Sequence, residues 1–68
     1  MDIRLKFGIK LKQLREERNL SQERLANISN IDRTYIPDIE KGKRNVSLVI
    51  IEKLSVALNI SPKTFFDE

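Results

Sequence analysis

The 68-residue chain contains no cysteine and no histidine. Without cysteine it has no disulfide, and without either residue the usual Cys/His metal sites cannot be built. Absence of cysteine also suits a reducing compartment. A domain this short buries only a small core. Stability must therefore come from well-packed helices or from a partner subunit. Glycine and proline are scarce as well, with two of each, and there is no low-complexity segment or internal repeat. No apolar run approaches the ~20 residues that cross a bilayer; the longest runs from Leu48 to Ile51. The opening "MDIRLKFGIK" alternates charge with apolar residues and lacks the features of a secretory signal. One soluble, cytoplasmic domain over residues 1–68 is expected, with no membrane partner. Catalysis is not expected, since no spaced carboxylate pair and no glycine-rich phosphate loop occurs. Nor is a cofactor, a metal or a small-molecule ligand.

What the chain does have is charge and helical spacing. Thirteen lysines and arginines face ten acids, a formal net charge of +3. That favours a polyanionic partner without demonstrating one. Apolar residues recur at helical intervals almost throughout, with no strand alternation. Ile3, Phe7, Leu11 and Leu14 form the buried stripe of a first helix over residues 2–18, with Asn19 as a left-handed exit. Ser21 caps a second helix over 22–29, and Asn30 is a second left-handed position followed by the apolar plug Ile31. Asp32 caps a third helix reaching Lys41, stopped by Gly42. Ser47 caps a fourth over 48–58, ended by Asn59. Ser61 and Pro62 start a last short turn. The expectation is all-α, with five short helices.

The second and third helices, joined by a three-residue turn, fit a helix-turn-helix. Ala26 supplies the small side chain at the helix crossing, and Asn30 the positive φ of the turn. At 100° per residue, Tyr35, Ile36, Ile39 and Glu40 fall on an inward arc. Arg33, Thr34, Pro37, Asp38 and Lys41 fall on the outward one. Pro37, counted from Asp32, is the fifth helical residue and removes the hydrogen bond to the Arg33 carbonyl.

The stretch "LKQLREERNLSQERLANISNIDRTYIPDIEKGKRNVSLVIIEKLSVALNIS" resembles the phage repressor/Cro type (xenobiotic-response-element type) helix-turn-helix family. Within it, "DRTYI..IE.GKRN" is most similar to the controller proteins of restriction–modification operons. The resemblance implies a compact five-helix domain of the lambda-repressor-like type, with helices 2 and 3 at its centre. It implies that Gln22 hydrogen-bonds a phosphate and that Arg33, Thr34 and Asp38 occupy base-facing positions. Lys43, Arg44 and Asn45 then follow the DNA backbone near a dimer axis, and Arg15 pairs with Glu40 inside the fold. Asn30 departs from the family's usual glycine, and Pro37 and Asp38 depart from its common small or amide residues.

Arg33 carries donors that match guanine O6 and N7. Thr34 can meet a thymine methyl or a phosphate. Asp38 has two readings, an acceptor for cytosine N4 or a local pair with Lys41. Lys41, Lys43 and Arg44 read as phosphate contacts, with Arg44 also able to reach a groove, and the Tyr35 hydroxyl reads as a further phosphate contact. Ile60, Phe65 and Phe66 read as a two-fold interface. The expected function is sequence-specific regulation of transcription, as repressor or activator. A homodimer would bind double-stranded DNA in the major groove at a palindromic operator, with RNA polymerase as a candidate further partner. The alternative is a helix-turn-helix module that binds another protein, of the antitoxin kind.

Overall fold

The computed structural model describes residues 1–67, so the last residue of the expected domain, Glu68, lies outside the described residues. Four α-helices follow one another: α1 (Ile3–Glu17), α2 (Gln22–Ser29), α3 (Tyr35–Glu40) and α4 (Leu48–Leu58). The fifth expected helix is a 3-10 helix, Pro62–Phe66. Five residues opening on proline are too few to complete a stable α-helical hydrogen-bond ladder, so the segment winds tighter. No strand occurs among the described residues. None of their helices is long and apolar enough to cross a membrane.

Short polar side chains start these helices by accepting otherwise orphaned backbone N–H groups. Asp2 accepts from Arg4 N at 2.7 Å, Ser21 from Arg24 N at 3.0 Å and Ser47 from Ile50 N at 3.1 Å. The Arg4 side chain also bonds the Asp2 carboxylate, which with the backbone bond holds that group down to about 2.

All four α-helices end the same way. A residue at positive φ turns the chain, and the two N–H groups around it reach back to unpaired carbonyls. Asn19, Asn30 and Asn59 sit at φ 56°, 57° and 57°, and Gly42 at 77°. Leu20 N donates to Arg15 O, Ile31 N to Ala26 O, Lys43 N to Asp38 O and Ile60 N to Ser55 O, all at 2.9–3.1 Å. After three of these stops the next residue is aliphatic and folds against the core; after Gly42 it is the exposed Lys43. The left-handed conformation costs an ordinary L-residue about 1–2 kcal/mol, and asparagine less. Asn30→Ala should therefore lower stability by about 1 kcal/mol, shifting the melting midpoint ~4–8 °C, while Asn30→Gly stays within about 0.5 kcal/mol of wild type. Thermal melts of the two variants check this.

The core gathers Phe7, Leu11 and Leu14 of α1, Leu25 and Ala26 of α2, Ile36 and Ile39 of α3, Leu54 and Leu58 of α4, and Ile31 and Phe65. Ile3 is expected in this stripe but is 64% exposed, lining a surface groove instead of the core. Arg18 joins two helix ends, donating from Nε to Leu58 O and from Nη1 to Leu14 O, each at 3.0 Å.

Phe65 requires a correction. It is fully buried, with its ring centroid 4.4 Å from that of Phe7, so it completes the core and cannot meet a second subunit. Ile60 is also half-buried against that core. Phe66, one 3-10 step further round, is exposed.

Candidate nucleic-acid interface

Helices α2 and α3 form the expected helix-turn-helix, with Ala26 buried at its centre. Asp32 does not cap α3, contrary to expectation; Thr34 stands at the cap position without a capping side-chain bond, and Asp32 closes a tight turn ahead of the helix. Its Oδ1 accepts from Thr34 N at 2.8 Å and from the Thr34 hydroxyl at 2.7 Å, while Tyr35 N donates to Asp32 O at 3.0 Å. These bonds hold the Asp32 carboxyl below its usual range. Regular α-helix starts only at Tyr35. Pro37 is thus the third residue of α3 rather than the fifth, where a backbone N–H has no helical acceptor in any case. The proline deletes no helix bond, contrary to the count from Asp32, and its ring fits the first turn.

Beneath this surface lies a buried polar joint. Arg15 Nε and Nη2 donate to the two carboxylate oxygens of Glu40 at 2.7 and 3.0 Å, and Nη1 donates to Leu20 O at 2.7 Å. The bonds to Glu40 raise the arginine pKa further, so Arg15 stays charged. Gln22 Nε2 completes the joint with a bond to Glu40 Oε1 at 3.1 Å. The expected Arg15–Glu40 pair is therefore present, and it also orients the side chain that opens α2. No buried side-chain polar atom among the described residues is left without a partner.

On the outside, Arg33, Thr34, Lys41, Lys43, Arg44 and Asn45 are exposed, and Pro37 and Asp38 are half-buried. Tyr35 is exposed too, not inward as the helical wheel placed it, and carries the Arg44 guanidinium 4.5 Å above its ring centroid. Asp38 pairs with Arg44, Nε to Oδ2 at 3.4 Å, rather than with Lys41. The loop after Gly42 folds back along α3, and this brings Arg44 within reach; only the sequence neighbour Lys41 was visible beforehand.

One surface was missed. Leu48 is 84% exposed and Val49 is exposed beside it. Val46 and Ile51, on either side of that stretch in the chain, line a groove of about 220 Å³ together with Ile3, Arg4, Phe7, Asn45 and Phe66. The run Leu48 to Ile51 signalled it, since four consecutive apolar residues on a helix cannot all face one core.

The Helix-turn-helix family model matches residues 11–65. Control protein C.BamHI of Bacillus amyloliquefaciens is 54% identical over 67 residues, covering 97% of this chain and 83% of that one. Control protein C.MunI of a Mycoplasma species is 52% identical over 68 residues, covering 98% and 92%. The crystal structure of the restriction–modification controller protein C.AhdI from Aeromonas hydrophila superposes with a TM-score of 0.90 at 51% identity, covering 93% of this chain and 96% of that one.

Proposed function

The chain belongs to the helix-turn-helix family, and from that premise we propose that it is a sequence-specific DNA-binding regulator of transcription. It would act as a homodimer on a palindromic operator, controlling a restriction–modification system as the name of C.AhdI indicates for that protein. It has no catalytic role in this reading, and RNA polymerase at the regulated promoter would be its further partner. The observation that carries the proposal is the placement of cations. Arg33 is exposed just before α3 and Lys41, Lys43 and Arg44 just beyond it, while α3 is anchored to α1 and α2 by the buried joint of Arg15, Glu40 and Gln22.

In this reading α3 enters the major groove with Arg33 and Thr34 leading. The Thr34 hydroxyl is committed to Asp32, which leaves its methyl for a thymine. Lys41, Lys43 and Asn45 follow the backbone, with Gln22 and the Tyr35 hydroxyl as further phosphate contacts. Selection from random duplexes at low salt tests the proposal. It should enrich one palindromic motif, bound with a steep loss of affinity as salt rises. Enrichment of no motif would leave only a protein-binding role. Arg33→Ala should lose about 1–3 kcal/mol on that motif and relax discrimination at one position per half-site. Lys43→Ala should weaken motif and random duplexes alike. Equal losses on both duplexes for both variants would refute this division of labour.

The two-fold surface we assign to Leu48, Val49, Phe66 and the adjoining groove in place of Phe65. Leu48 is an exposed knob and its chain neighbours Val46 and Ile51 line a hole, and an isologous contact pairs one such patch with its own copy. Leu48→Glu should leave the fold intact, because the side chain is exposed. Sedimentation should show a monomer at concentrations where wild type is dimeric, with operator binding lost in parallel; a persisting dimer would place the interface elsewhere.

A further inference from the structure

An acid on a surface offered to phosphates needs a reason, and the surroundings of Asp38 supply one. Its carboxylate lies 3.4 Å from Arg44 Nε, and the same guanidinium rests 4.5 Å over the Tyr35 ring. The backbone adds a third tie, from Lys43 N to Asp38 O at 2.9 Å. Arg44 is thus gripped at one edge and on one face, although its side chain is 45% exposed. Arg33, Lys41 and Lys43, on the same surface, make no ion pair among the described residues.

We propose that Asp38 is a specificity-determining positioning residue, which holds Arg44 off the phosphates and fixes the direction from which its guanidinium meets the duplex. The inference rests on the DNA-binding reading above. A phosphate contact releases a counterion whatever the base sequence, so every unrestrained surface cation strengthens random and operator binding together. The Asp38 carboxylate stands in for a phosphate within the protein. Arg44 must give up that partner to reach the DNA backbone, and the exchange of one anion for another gains little. A base-edge contact that leaves the pair in place keeps its full gain. The grip is suited to this, because it occupies Nε and leaves both Nη groups to donate, as guanine O6 and N7 require. Holding the side chain in advance also reduces the ordering cost of binding.

The test uses Asp38→Asn, Arg44→Ala and the double variant, titrated by fluorescence anisotropy. The probes are the duplex recovered by selection and a random-sequence duplex, over a range of salt. Asp38→Asn should bind the random duplex about tenfold tighter, with a logarithmic salt slope steeper by about 0.9 per protomer as Arg44 engages a phosphate. Operator affinity should rise much less, so the operator-to-random ratio should fall about five- to tenfold. In the Arg44→Ala background the same substitution should change that ratio less than about twofold. Equal tightening on both duplexes would show Asp38 to be a simple repulsive charge and overturn the proposal. So would a ratio change that persists without Arg44, since Asp38 would then contact a base itself. A wild-type protein with no preference for any duplex would instead sink the DNA-binding reading, and this inference with it. Arg44 is exposed and Asp38 half-buried, and neither belongs to the core, so melting curves should stay close to wild type throughout.

Discussion

Gly8→Ala is expected to abolish cooperative folding of the monomer near ambient temperature. Gly8 lies inside α1, where alanine would ordinarily gain about 1 kcal/mol of helix propensity. Here α1 passes against the C-terminal end of α3. A Cβ at Gly8 would run into the Ile39 carbonyl oxygen and stand 2.8 Å from that of Glu40. Both obstacles are backbone, so no rotamer change relieves them. The helices must separate, opening the core that Phe7 and Leu11 of α1 share with Ile36 and Ile39 of α3. Overpacking of this kind costs about 3 kcal/mol or more where nothing yields. That exceeds the propensity gain and is a large share of a small domain's stability. Circular dichroism with urea should show a collapsed midpoint. A raised midpoint would mean that the seam between α1 and α3 is slack.

Glu40→Ala should cost about 3–5 kcal/mol, since it leaves the Arg15 guanidinium buried without its counter-charge. The side chains of Arg15 and Glu40 are 10% and 4% exposed, so water cannot replace the missing partner. Arg15→Met combined with Glu40→Leu should recover most of that loss, because removing both charges removes the desolvation cost with them. The double variant also separates stability from recognition. Gln22 loses its bond to Glu40 and with it a fixed direction at the mouth of α2. Operator affinity should therefore stay below wild type even where the melting midpoint is restored. Full recovery of both would reduce the joint to a stability element alone.

These residues mark where sequence reading succeeds. Ser21, Ser47, Asn19, Asn30, Asn59 and Gly42 were legible because capping and stopping a helix are local chemistry, settled within five residues. The Arg15–Glu40 pair followed from family resemblance, and α2 was placed to the residue. Gly8 carried no signal, because its demand comes from a backbone 31 residues away. Adjacent phenylalanines at 65 and 66 could not be told apart without knowing how the 3-10 turn rotates one of them inward. Counting from Asp32 makes Pro37 a fifth helical residue, but a tight turn comes first and the α-helix opens only at Tyr35. Arg44 met Asp38 and Tyr35 only once the loop beyond Gly42 had folded back. The features that sequence missed are contacts between elements.

The four helix stops also bear on time. Each closes its hydrogen bonds within five residues of chain, so every helix boundary can form before distant parts meet. Helical domains dominated by such local contacts fold in microseconds to milliseconds. Association of two chains takes milliseconds to minutes and depends on concentration. For a regulator that acts as a dimer, folding is over almost as soon as a chain is released. The lag before an operator fills is then set by how quickly second copies accumulate, which makes the synthesis rate itself the clock.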